Sequence, residues 1–193
     1  MENADKTALR AEARRIRAGL AKMYGYAAAE AIVDHGLKFL MARPKGSVIA
    51  GYWPKGDELD PRLLMMALER AGFEIALPVV RGDDEPLTFR RFGEGDPLVE
   101  GPYGIMMPGG DAPVVTPSTL IVPLLSYDAD CYRLGQGGGY YDRTLAAMPG
   151  ASAFGFAYAG QFVNYIPREV HDMPLHGIIT ETGIYVPQRH NKT

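Results

Sequence analysis

Thr-Leu-Ile-Val-Pro-Leu-Leu at residues 119–125, followed by Arg-Leu-Gly-Gln-Gly-Gly-Gly-Tyr-Tyr-Asp-Arg at 133–143, decides how this chain is read. The first run is apolar and reads as a buried strand. Four glycines in five positions (Gly135, Gly137, Gly138, Gly139) leave the second with little side-chain cover, so successive N–H groups can turn toward one anion. Tyr140 to Met148 then reads as a helix. Strand, glycine loop and helix form the setting in which a helix N-terminus receives phosphate. Arg133 and Arg143 add fixed positive charge, and Asp142 offers oxygen to a hard cation.

Working outward, strands and helices alternate. Residues 5–23 predict an amphipathic helix, with Asp5 as its cap and Leu9, Ala13, Ile16 and Leu20 on one face. Lys6, Arg10, Arg14 and Arg17 form a basic stripe on another face. A second helix is expected over Tyr26 to Ala42, stopped by Arg43-Pro44. Strands are expected at Ser47–Tyr52, Phe73–Pro78, Leu87–Phe92, Thr119–Leu125, Ala153–Ala157 and Gly177–Thr180. A helix is expected at Pro61–Ala71, with Asp60 as its N-cap. Residues 93–118 are rich in Pro and Gly and read as a long irregular connection, a kind of segment that is often functional. This order predicts a three-layer α/β/α domain with a mainly parallel, Rossmann-like sheet and ligands at the C-terminal strand ends. No linker divides residues 1–193, so a single domain is expected.

Two familiar nucleotide motifs fail. No Lys or Ser/Thr follows Gly139, as a Walker loop requires, and the third glycine of a Gly-x-Gly-x-x-Gly fingerprint is Tyr140. No Gly-x-Ser-x-Gly elbow and no zinc-like His/Cys spacing occurs. Arg-Leu-Gly-x-Gly-x-Gly-Tyr-Tyr-Asp instead resembles the nucleotide and folate loop of the 5-formyltetrahydrofolate cyclo-ligase (methenyltetrahydrofolate synthetase) family. Lys6-Thr7-Ala8-Leu9-Arg10 resembles its N-terminal Lys-x-x-Leu-Arg, and Trp53 to Asp60 its substrate-contacting segment. Gly104-Ile105 with Pro108, Val122-Pro123, Gln161, Pro167 and His171-Asp172 follow in the family's order, so the likeness spans about residues 5–182. One departure is Cys131, where the family usually has glycine.

The resemblance implies an ATP-dependent closure of 5-formyltetrahydrofolate to 5,10-methenyltetrahydrofolate, with ADP and phosphate released. It assigns ATP to Lys6, Thr7, Ala8, Leu9, Arg10 and residues 133–141 (Arg133, Leu134, Gly135, Gln136, Gly137, Gly138, Gly139, Tyr140, Tyr141). Arg133, Tyr140 and Tyr141 take the catalytic roles, and Mg²⁺ falls to Asp142 and Asp172. Trp53, Glu58 and the loop glycines with Gln136 would meet the folate, which can carry a polyglutamate tail. A carboxylate such as Glu58 can accept from the N–H pair on a reduced pterin edge, and Trp53 can wall the ring. For Asp60, Arg14 and Arg17 the residues favour plain roles, a helix cap and a solvated face. His171 reads as structural and Cys131 as a bystander thiol. Architecture alone leaves open a non-catalytic sensor of a phosphorylated metabolite, or a phosphosugar isomerase or acyl-CoA transferase. A sensor would not need Glu58 or the paired Asp residues.

Composition sets the outer limits. With 193 residues, 47% hydrophobic and 22% charged, the chain is an ordinary globular one, and its net charge of −3 gives no bulk attraction to nucleic acid or an acidic membrane. One cysteine excludes an internal disulfide, and no apolar run approaches a membrane span. A cytoplasmic monomer acting on a small molecule is expected.

Overall fold

The structure is a computed structural model that describes residues 2–187. Helix α1 (Glu2–Leu40) leads to β1 (Val48–Ala50), α2 (Arg62–Arg70), β2 (Glu74–Val79) and β3 (Thr88–Arg91). Next come β4 (Leu98–Glu100), β5 (Met106–Pro108), β6 (Val114–Val115) and β7 (Thr119–Pro123). A small hairpin of β8 (Ser126–Tyr127) and β9 (Arg133–Leu134) precedes α3 (Tyr140–Ala147), β10 (Ser152–Phe156), β11 (Gly177–Thr180) and β12 (Gly183–Tyr185).

Eight strands form the main sheet in the order β12-β11-β10-β7-β1-β2-β3-β6. The five central strands, from β11 to β2, pair in parallel, and β12, β3 and β6 are antiparallel additions at the edges. Buried on both faces, the central strands carry runs such as Leu120-Ile121-Val122, all fully enclosed, rather than a polar–apolar alternation. On one face α1 and α2 bury Ile32, Leu40, Leu64 and Leu68 against Ile49, Ile75, Ile121 and Phe154. On the other, α3 and the loops bury Leu145, Cys131, Leu87 and Leu175 against Ala50, Ala76, Leu120 and Val122. The expected three-layer, mainly parallel architecture is present. No described helix is long and apolar enough to cross a membrane.

The two N-terminal helices expected from the sequence form one continuous element whose backbone leaves helical geometry at Gly25, between them. This element already runs from Glu2, so Asp5 lies within it rather than capping it, and the Asp5 side chain falls outside the described residues. Pro61 takes the cap position of α2, and Asp60 just before it accepts from the Arg62 N–H at 2.9 Å. The connection over residues 93–118 is not irregular throughout. Backbone pairing of Leu98, Val99 and Glu100 with Pro108, Met107 and Met106 makes it a hairpin, and β6 then returns to the sheet edge.

The glycine loop does not leave β7 directly, because the β8–β9 hairpin intervenes. Its turn is held by Asp128, buried, whose carboxylate accepts from the N–H groups of Asp130 and Tyr132 at 3.0 Å and pairs with Arg168. Cys131 sits in this turn with φ +61° and no solvent exposure. Burial, with Asp128 and Asp130 nearby, pushes its thiol up to about 12, so it is protonated and unreactive at neutral pH. A positive φ costs a non-glycine residue roughly 1–2 kcal/mol, and losing the small buried side chain costs about 1 kcal/mol. Cys131→Gly is therefore expected to leave stability within about 1 kcal/mol of the parent, whereas β-branched Cys131→Val loses more than about 2 kcal/mol. Thermal melts of the two variants check this, and equal losses would refute the strain.

Candidate active site

After β1 the chain proceeds on one side through α2 to β2; after β7 it proceeds on the other through α3 to β10. The strand order thus reverses between β1 and β7, and the crevice beyond their C-terminal ends is where open α/β sheets receive ligands. A cavity of about 810 Å³ lies there. Its wall includes Lys6, Arg10, Arg14 and Arg17 from α1, Trp53 and Glu58 from the β1–α2 loop, and the whole stretch from Arg133 to Asp142. Glu169, His171 and Asp172 close one side, and Pro102, Tyr103, Ile105 and Met107 another.

The glycine loop is shaped for close approach. Gly137 and Gly139 have φ of +109° and +66°, which L side chains rarely adopt. The Arg10 guanidinium lies against it, with Nε donating to the Gly135 carbonyl at 3.1 Å, and Arg14 donates to the Gln136 side-chain oxygen at 2.8 Å. Leu134 is buried with Ala13, Leu125 and Ile166, with Leu9 packed against them. Thr7 and Ala8 are exposed.

Both sequence-assigned metal carboxylates already face cations. Asp172 pairs with Lys6 Nζ at 3.0 Å, and Glu169 pairs with the same nitrogen at 2.8 Å. Burial opposes the charge on Asp172, but the Glu169 N–H and Lys6 outweigh it and hold the carboxyl below its usual range. The Lys6 pKa is raised instead, its two carboxylate partners overcoming desolvation. Asp142 pairs with Arg133 at 2.8 Å and accepts from the Met173 N–H at 3.1 Å, while Arg133 also donates to the Met173 carbonyl at 2.8 Å. With a side chain only 5% exposed, Arg133 braces the loop in this conformation rather than offering an open cation. Among the described residues no group of three or more His, Cys, Asp or Glu gathers as a ready metal site. The set fits Mg²⁺ only if phosphate oxygens complete it, which is that ion's habit.

Glu58 is largely enclosed. Burial raises its pKa, partly offset by the Lys55 N–H at 3.0 Å and by Arg17 at 3.6 Å. Tyr141, also in the cavity wall, has its hydroxyl pKa raised by burial and by the Glu58 charge. Trp53 packs edge-on to Phe92, and the Arg62 guanidinium lies 5.0 Å over its ring, so one face is already covered. Tyr140 bonds Asp83 and Tyr103 through its hydroxyl, each at 3.3 Å.

Sequence reasoning missed Tyr103, Asp83 and Lys55, and misplaced Arg17. Tyr103, with φ +60°, lies in the Pro/Gly-rich connection, and that segment's length was the only signal for it. Arg17 is not on a solvated face; it is buried. Its helical spacing from Lys6 and Arg10, both at the cavity, carried that information.

These features define a doubly wound α/β protein with a glycine loop and a cation-lined crevice at the switch point of its sheet. The 5-formyltetrahydrofolate cyclo-ligase family model matches residues 2–181, and the chain belongs to that family of enzymes. It is 31% identical over 186 residues to the Haemophilus influenzae 5-formyltetrahydrofolate cyclo-ligase, an alignment covering 93% of this chain and 99% of that one. The solution structure of Aquifex aeolicus 5,10-methenyltetrahydrofolate synthetase superposes with a TM-score of 0.79 at 27% identity, covering 97% of this chain and 99% of the other. The synthetase of Mycoplasma pneumoniae shares the fold, with a TM-score of 0.74, 24% identity, and 92% and 99% coverage.

Proposed function

We propose that this chain, folded as a single domain, closes 5-formyltetrahydrofolate to 5,10-methenyltetrahydrofolate at the expense of ATP. One observation carries the reading: the anion-shaped glycine loop, the cations of α1 and the Glu58 carboxylate converge on one crevice. The oxygen of an N-formyl group is a poor leaving group. Attack of that oxygen on the γ-phosphorus expels ADP and leaves an imidate phosphate. N10 then attacks the formyl carbon, its proton is lost, and phosphate departs as the five-membered ring closes.

The protein's share is positioning and charge neutralisation. Loop N–H groups, Lys6, Arg10 and Arg133 would face the phosphates, with the backbone of residues 7–9 and 134 beside the nucleotide. Arg133 and Lys6, each now paired with a carboxylate, would exchange partners to do so. Asp142 and Asp172, freed by that exchange, would hold Mg²⁺, which would supply compensation for the phosphate charge. Tyr140 and Tyr141 would orient the transferred group, while Glu58 and Trp53 receive the pterin. ADP formation measured with and without 5-formyltetrahydrofolate tests the proposal; release that does not depend on the folate would overturn it.

Asp142→Asn keeps size and removes charge. It is expected to raise the Mg²⁺ concentration needed for half-maximal turnover by about tenfold or more while folate affinity without nucleotide changes little. Asp172→Asn should act in the same direction. Wild-type Mg²⁺ dependence in both variants would mean that the ion arrives with ATP and takes no ligand here.

A further inference from the structure

Among the described residues, Arg17 is the one buried cation of the crevice that the proposed chemistry leaves unused. Its side chain is 8% exposed, yet its bonding is poor for that depth. Nη1 lies 3.4 Å from the Leu124 carbonyl and 3.6 Å from Glu58 Oε1, both beyond the usual 2.7–3.2 Å of an N–H···O bond. Nε is enclosed without a partner among the described residues. A guanidinium carries five donors, and burying it with so few satisfied is costly unless another group uses them. It also forms part of the cavity wall beside Glu58.

The neighbours decide what kind of group that would be. A carbonyl oxygen and a carboxylate already lie against Arg17, so a phosphate there would meet two negative oxygens at close range. A neutral oxo oxygen, with only a partial charge, meets far less repulsion from them. The pterin of the proposed substrate carries a 2-amino group, an N3–H and a 4-oxo oxygen in a row: donor, donor, acceptor. A carboxylate alone matches only the first two.

We infer that Arg17 is a specificity-determining residue: its guanidinium donates to the 4-oxo oxygen of the pterin while Glu58 beside it accepts from the two N–H donors. This rests on the function proposed above. The pair then selects 2-amino-4-oxo rings over 2,4-diamino rings, whose 4-amino group presents hydrogens toward those of Arg17 and whose N3, lacking a hydrogen, has nothing to donate to Glu58.

Affinities of the parent chain and Arg17→Met are to be measured for 5-formyltetrahydrofolate and for its 4-amino counterpart, without nucleotide. The Arg17 share of the parent's preference for the 4-oxo ring is expected to be about 10- to 100-fold, the range of one charge-assisted hydrogen bond. Arg17→Met should lose that factor on the 4-oxo ring, hold the 4-amino ring within about threefold, and leave ATP affinity unchanged. A purely structural arginine would weaken both rings alike, so an equal loss, or an unchanged preference, overturns the inference. Should Arg17→Met fail to fold, Arg17→Gln keeps a polar terminus in the pocket and is judged by the same ratio. A parent chain that binds neither ring removes the proposed function, and this inference with it; binding without a shifted ratio removes the inference alone.

Discussion

Gly137→Val is expected to abolish ADP release while the circular dichroism spectrum stays native. The position has φ +109°, and a Cβ there would lie 3.4 Å from Arg10 Cζ before the two valine methyls are added. A β-branched residue has no relaxed conformation at that φ. The strain is on the order of 1–3 kcal/mol, small against the 5–15 kcal/mol that holds a domain together, so the fold should survive. Function should not. The valine would push Arg10 from the Gly135 carbonyl and turn the loop N–H groups away from their common focus. Misplaced donors at a site of developing charge cost about 100- to 1000-fold in turnover. Gly139→Val should behave alike, because a Cβ there would lie 2.6 Å from Arg143 Nη1, and Arg143 ties the loop to the Asp83 carbonyl at 2.7 Å. Two fully active variants would show that the loop is a turn and nothing more.

The legible part of this molecule is the part with a period. Long apolar strands and amphipathic helices placed the parallel core correctly, and β11 spans the expected Gly177–Thr180. Gly25 parts the two N-terminal helical stretches where their patterns part. The β8–β9 hairpin and β12 are too short for any periodicity to show, and they form because tertiary neighbours hold them. Asp128 is an example: its carboxylate fixes the hairpin turn from inside the fold. The candidate site was legible as a set of residue types, since glycines, cations and carboxylates announce anion chemistry. Their pairings were not. Sequence could not show that Arg133 is held by Asp142, or that Lys6 on α1 reaches Glu169 and Asp172 more than 160 positions away. It could show direction: in a helix, residues 6, 10, 14 and 17 share a face, so placing two at a ligand places the others near it.

Those pairings sharpen the second large effect, the loss of ATP affinity in Lys6→Ala and Arg10→Ala. A chain of net charge −3 has no general field for a triphosphate, so local cations must carry the attraction. Removing one charge-assisted contact costs about 1.5–3 kcal/mol, or roughly 10- to 100-fold in affinity. The two variants should differ in everything else. Lys6 is buried between Glu169 and Asp172, so its removal leaves two carboxylates without their shared cation and should also lower the melting temperature. Among the described residues Arg10 bonds the Gly135 carbonyl alone, at 3.1 Å, so Arg10→Ala should bind ATP weakly with its melting temperature nearly unchanged. Titrating nucleotide into both variants, with melts alongside, separates the roles. Weak binding in Lys6→Ala alone would mark a structural pair whose loss distorts the crevice indirectly. Parent-like affinity in both would remove this face of α1 from the nucleotide site, leaving the phosphates to the glycine loop alone.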